Sequence, residues 1–284
     1  MPVIAIAGGS GSPGVTTTAL ALLLSWPLEP GRRVVLAECD PDGGSVLYGL
    51  LQGSLGDRWG LKNLSVAARK GELAEVFWRQ LVDMTEDGQA AQATGERLVL
   101  PGLTDPTQAA ALAPAWEQLA DLVAGIERHA QYPHDVLVDL GRSGAFGPSG
   151  VLAQRADLLV MVARSTMRSI QSVQMRIEAL QERVGEIGLL LVDEGPYSAR
   201  EVQRLLKTPV LATLPYRPSL ARVLSDGAEQ PSRFARSELM RAVQGATTPL
   251  RQRAALRRAR LAPRGGPVPG GGEVRAGAWQ ASSS

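Results

Sequence analysis

"VIAIAGGSGSPGVTTTALALLLSW", residues 3–26, decides how this chain folds. Its opening residues, Val3 to Ala7, are an uninterrupted apolar run of the kind a strand buried on both faces requires. Glycines, serines and a proline follow, and residues 16–26 then read as a helix. A strand, a glycine-rich turn and a helix start together make an anion site, because successive backbone N–H groups converge there and the helix dipole favours negative charge. The usual form of such a loop adds a lysine for the phosphates and a Ser/Thr hydroxyl for magnesium. Aligned on the helix start, Gly14-Val15-Thr16-Thr17 fills the Gly-Lys-[Ser/Thr]-[Ser/Thr] places: the hydroxyls are present and the lysine is Val15. Pro13 has no N–H, so one rung of the amide cradle cannot donate.

Beyond this unit, short aliphatic runs alternate with helical patterns. Strands are expected at Arg33 to Ala37, Leu98 to Leu100, Val136 to Leu140, Leu158 to Ala163, Leu189 to Val192 and Val210 to Leu214. Helices are expected over 63–82, 107–129, 166–183 and 198–206, with Asp105, Ser165 and Ser198 near their starts. Continuously apolar strands separated by helices predict a doubly wound α/β fold, with a mostly parallel sheet and helices on both faces. No repeat with a period of about 20–50 residues is visible.

The composition narrows the chemistry. One cysteine, Cys39, excludes an intramolecular disulfide, and two histidines, His129 and His134, leave no zinc-ligand spacing and no serine–histidine triad order. Cys39 reads as a small buried residue, since nothing near it in sequence would hold a thiolate. The start of the chain lacks the basic residues of a signal peptide. The longest apolar stretch, Ala19 to Leu28, is broken by Ser25 and Pro27 and falls short of the ~20 residues a spanning helix needs. A cytoplasmic location is therefore expected. The net charge of +2 hides an asymmetry: residues 241–284 carry eight arginines and one acid, for +7, which leaves −5 on residues 1–240. The organisation expected is a domain over 1–248, a basic helical extension over 249–261 and a disordered tail over 262–284. The basic end reads as a solvated tether, a contact for anionic membrane or a contact for nucleic acid.

The loop resembles that of the MinD/ParA-type P-loop ATPases, whose deviant motif is Lys-Gly-Gly-x-Gly-Lys-Thr-Thr. Residues 10–17, Ser-Gly-Ser-Pro-Gly-Val-Thr-Thr, stand in its place without either lysine, including the first, which in the family reaches the nucleotide of a dimer partner. The resemblance continues in order along residues 1–245. "LAECDPDGG" (36–44) is similar to the family's DxDPQGN, with Glu38 for the first aspartate, Asp40 matching, and Asp42 for the glutamine. "HDVLVDLGRSG" (134–144) looks like the Walker B strand and switch II, and "ADLLVMVARSTMRSIQSVQ" (156–174) like the segment after it. "KTPVLATLPYRPSLARVLSDG" (207–227) resembles the segment that approaches the base, and Asp193 falls near the adenine-reading asparagine.

The resemblance implies site residues one by one. Gly11, Ser12, Gly14, Val15, Thr16 and Thr17 would cradle the phosphates, and Asp193 would lie near the base. Thr16, Asp40 and Asp139 would surround magnesium, and Glu38 and Asp40 would position a water. The cofactor implied is ATP or ADP with magnesium, or none if the loop has lost its grip. Losing one charge-assisted contact removes ~1.5–3 kcal/mol, so two lysines and one amide amount to orders of magnitude in affinity. Lysine-poor loops are most like those of the TadZ/CpaE proteins. The resulting reading is a homodimeric positioning or assembly factor, a pseudo-ATPase serving pilus or secretion machinery or a cell pole, with nucleotide weak, regulatory or lost. The rival reading is an active ATPase in chromosome or plasmid partitioning, with arginines such as Arg142, Arg164 or Arg168 in place of the lysines.

Overall fold

The computed structural model describes residues 1–9, 11, 14–85 and 95–261. Eight strands form one sheet: β1 (Val3–Gly8), β2 (Arg33–Glu38), β3 (Val82–Asp83), β4 (Glu96–Leu100), β5 (His134–Asp139), β6 (Leu158–Arg164), β7 (Ile187–Asp193) and β8 (Val210–Pro215). Their order is β3-β4-β2-β5-β1-β6-β7-β8, and every pairing is parallel except that of the two-residue β3 with β4. Nine helices connect them: α1 (Val15–Ser25), α2 (Leu64–Lys70), α3 (Leu73–Arg79), α4 (Ala115–Ala124), α5 (Gly150–Arg155), α6 (Met167–Leu180), α7 (Ala199–Leu206), α8 (Pro218–Ser225) and α9 (Glu238–Leu261), counted among the described residues.

Residue parity along the strands sorts the core into two layers, because successive side chains of a strand point to opposite faces. Ile4, Ile6, Val34 and Leu36 pack with α1, α8 and α9. Val3, Ala5, Ala7, Val35 and Ala37 pack with α2 to α7. This is the doubly wound architecture expected from the continuous apolar runs.

The expected helices are refined at their breaks. The span 63–82 is two short helices with Gly71 between them, and 107–129 is a 3-10 segment (Pro106–Leu112) followed by α4 and a further turn. Asp105 caps that segment by accepting from Thr107 N at 2.8 Å. Ser198 caps α7 in a reciprocal box with Glu201. Ser165 instead accepts from Glu194 N and Gly195 N, while Thr166 precedes α6. Helices α5 and α8 lie where no element was expected, and Val82, the end of the helix expected over 63–82, instead opens strand β3.

The boundary expected at 248–249 falls inside α9, which runs on through Pro249. Leu250 and Ala254 are fully buried in the α1 layer, so this part of the helix is core rather than a separate extension. Its arginines face the body: Arg253 pairs with Glu186 at 2.5 Å, Arg258 with Asp157 at 2.9 Å, and Arg257 donates to the Ala156 carbonyl. Leu250→Val should therefore cost about 1 kcal/mol, as trimming a packed core side chain does. Denaturant unfolding checks this, since a solvated tether would show no change. The expected tail at 262–284 lies outside the described residues.

Candidate functional site

The carboxyl ends of β1, β2 and β5 meet at one edge of the sheet, the place where open α/β sheets bind ligands. Backbone bonds tie these ends together: Cys39 N to Asp139 O at 2.7 Å, Leu140 N to Ile6 O at 2.8 Å and Gly8 N to Gly141 O at 2.9 Å. Gly14 leads into α1 in the left-handed region, φ 84°, where glycine carries no steric penalty. Of the expected cradle residues, Gly11, Gly14, Val15, Thr16 and Thr17 stand at this turn, while Ser12 lies outside the described residues, as does Pro13.

Val15 opens α1, is buried, and belongs to the same apolar layer as Ile4 and Leu36. It brings no charge to the turn. The Thr16 hydroxyl instead hydrogen-bonds the Asp139 carboxylate. Asp139 also accepts from Gly141 N at 2.9 Å, and its Oδ2 is buried with no partner. Burial, reinforced by the charges of Glu38 and Asp40, pushes the Asp139 carboxyl up to about 7 even though Thr16 and Gly141 pull the other way.

Glu38 and Asp139 are register partners on β2 and β5, yet their surroundings differ. Glu38 is buried, and its two carboxylate oxygens accept from Ser45 N at 2.6 Å, Val46 N at 3.1 Å and Gly102 N at 2.7 Å. A Cβ on Gly44 would fall 2.5 Å from Glu38 Oε2, so the loop wraps the carboxylate at glycine distance. Burial raises the Glu38 pKa, with the amides of Ser45, Gly102 and Val46 opposing. These bonds engage both oxygens in holding two loops, the work of a structural acceptor. Glu38→Ala should cost about 2 kcal/mol by orphaning these amides, and thermal unfolding measures it.

Asp40 is half-buried and accepts from Asp42 N at 2.9 Å, and Asp42 in turn accepts from the Ser143 hydroxyl at 2.7 Å. The Asp40 pKa is raised by burial, and the Arg142 charge draws it back. Cys39 between these acids is fully buried, and burial together with the neighbouring carboxylates lifts its thiol well above the usual range, which leaves it a packed residue.

A cavity of about 260 Å³ opens beside the turn, lined by Gly14, Thr17 and Ala21 on one side and by Arg164, Tyr216 and Arg217 on the other. Arg164 pairs with Glu194 at 3.0 Å and lies 5.6 Å from the Tyr216 ring centre. Asp193 is exposed at the end of β7, opposite Pro215, and does not line the cavity. Arg168 is exposed on α6. Arg176 was not among the expected site residues: its Nη1 donates to the Gly8 carbonyl at 3.0 Å and to the Arg142 carbonyl while its guanidinium lies over Phe146. It sits 168 positions from Gly8, and no motif spacing marks it.

The donors fit magnesium but only in company. Asp139 Oδ2 lacks a partner beside the Thr16 hydroxyl, and magnesium is commonly held by one or two carboxylates together with phosphate oxygens and water. No group of three or more His, Cys, Asp or Glu able to hold a metal unaided occurs among the described residues.

Known structures share this architecture. The ParA family ATPase of Chlorobium tepidum superposes with a TM-score of 0.63 at 15% identity, covering 87% of this chain and 97% of the other. The septum site-determining protein MinD of Pyrococcus horikoshii, complexed with Mg-ADP, gives 0.62 at 15% identity over 90% and 98%. A plasmid partition protein of Borrelia burgdorferi bound to AMPPNP gives 0.59 at 13% over 88% and 98%. The chain has the MinD/ParA fold. No protein-family model and no curated protein matches the sequence. At these identities the likeness carries the architecture, and the activity has to be argued from the residues. No helix among the described residues is long and apolar enough to cross a membrane.

Proposed function

We propose that this chain is a cytoplasmic positioning or assembly factor of the MinD/ParA fold. In this reading the ancestral ATP site has become a weak, regulatory or vestigial nucleotide site, and the protein works through a second copy of itself and a protein partner in pilus or secretion machinery. The observation that carries the reading is Val15, an apolar residue buried in the core where a triphosphate cradle needs a cation. Two further features support it. Glu38 is committed to backbone amides, and burial beside the charges of Glu38 and Asp40 pushes the Asp139 carboxyl up to about 7.

If nucleotide binds, Thr16 and Asp139 hold the magnesium, which supplies the positive charge the phosphates otherwise lack. The base then has the cavity beside Tyr216, with Thr17 and Gly14 at its floor. Phosphate release from ATP, measured alone and with DNA or anionic liposomes, tests the reading. The expected result is background turnover in all three conditions. Stimulated turnover abolished by Asp139→Ala would instead establish the partitioning ATPase.

A further inference from the structure

The amino ends of the strands carry a second recess, on the sheet edge opposite the turn after β1. A cavity of about 420 Å³ is lined there by Arg32, Arg251 and Arg258, together with Pro2, Gln252 and Ala255, and no acidic residue lines it. Pro2 precedes β1, Arg32 precedes β2, and the other two arginines come from α9. Strand β1 is six residues long, which puts the recess about 20 Å from the turn.

Buried acids hold two of these arginines in place. Arg32 forks onto Asp135 of β5 through Nη2 at 2.6 Å and Nε at 3.2 Å, and Trp26 Nε1 donates to the same fully buried carboxylate at 2.9 Å. Arg258 donates from Nε to Asp157, just before β6, whose carboxylate also accepts from Val3 N at 2.8 Å. Nη1 of Arg32 and both Nη atoms of Arg258 have no acceptor among the described residues. Arg251 stands half-buried beside them, between the core residues Leu250 and Ala254, with no acceptor and no carboxylate at ion-pairing distance among the described residues. Three guanidinium charges thus share two carboxylates, and one positive charge in a partly desolvated recess is left without a counterion. Guanidinium N–H groups match phosphate oxygens in geometry. A phosphate group brings three acceptor oxygens and nearly two charges, where a carboxylate brings two oxygens and one charge.

We propose that Arg32, Arg251 and Arg258 form a site for a phosphate group, taken from free orthophosphate or from a small phosphomonoester, with Arg251 as its uncommitted cation. The site stands apart from the turn after β1 and is independent of what binds there. An anion seated in it ties α9 to the residues that lead into β1 and β2.

The test titrates orthophosphate, glycerol 3-phosphate and acetate, at low and constant ionic strength, into the full wild-type chain and its Arg251→Gln and Arg251→Lys variants. Arg251 has no partner to lose among the described residues, so both variants should unfold at the wild-type temperature in the absence of phosphate. The wild type should bind both phosphates saturably, with Kd of about 1 mM or tighter, and should melt higher in their presence. Affinity should fall about tenfold in Arg251→Gln and be partly kept in Arg251→Lys, which retains the charge without the fork. Tighter binding of glycerol 3-phosphate than of orthophosphate identifies a phosphomonoester as the ligand, and equal affinity identifies the free anion. Unchanged affinity in Arg251→Gln overturns the site, because an anion held at the distant turn would be indifferent to residue 251. Acetate binding as tightly as phosphate overturns it too, as does a wild type without saturable phosphate binding.

Discussion

At about pH 8 the Asp139→Asn variant should unfold well above the wild type, and at about pH 4 the two should unfold together. The folded Asp139 carboxyl is pushed up to about 7, whereas in the unfolded chain it has the ordinary aspartate value of 3.8. Between those values the folded chain holds a proton that the unfolded chain has released, so stability falls as pH rises through this window. Above the folded value the full penalty is present. Each unit is worth about 1.4 kcal/mol, so removing the charge should stabilise the protein by up to about 4 kcal/mol at the plateau. For a domain of this size that corresponds to roughly 10 °C in Tm. Asparagine keeps an oxygen for the amide of Gly141 and the hydroxyl of Thr16, so the variant isolates the charge. Thermal unfolding across pH decides the matter, because a stabilisation that does not vary with pH would mean the carboxylate is not strained by burial.

Val15→Lys should raise affinity for MgATP and MgADP about a hundredfold over the wild type. A charge-assisted contact is worth ~1.5–3 kcal/mol, and every 1.4 kcal/mol is a factor of ten. The lysine would also restore a cation near Asp139, lowering its pKa and flattening the fall in stability between about pH 4 and 7. The two readouts are independent. Calorimetry reports the ligand, and the unfolding profile of the free protein reports the electrostatics. A variant that gains neither would show that position 15 does not govern the site.

The fold was legible because its strands are buried on both faces and its signals are local. Continuous runs such as Val3 to Ala7 and Leu158 to Ala163 announce a covered parallel sheet, and the glycine turn before α1 fixes the first crossover. Strand β3 was missed because two residues carry no periodicity. The end of α9 was misread because its arginines suggest a solvated tether, while their partners Glu186, Ala156 and Asp157 stand 67–101 positions away.

In the candidate site, the hydroxyl of Thr16 follows from the loop motif and the carboxyl of Asp139 from the resemblance of its strand to a Walker B strand, and the structure brings them together. Glu38 could not be assigned its amide partners from sequence, since Gly102 comes from the end of a different strand, 64 positions on. Asp193 was positioned by resemblance alone, and the exposed end of β7 leaves it outside the cavity. Arg176 was invisible for the reason Glu38 was: its meaning lies in what the fold places against it.

A valine in the cationic place leaves the turn unable to clamp a triphosphate, and calorimetric titration of the wild-type chain with MgATP at neutral pH is the decisive check. The binding curve should not saturate below about 1 mM, equivalent to less than about 4 kcal/mol of binding free energy. Saturation in the micromolar range would contradict it.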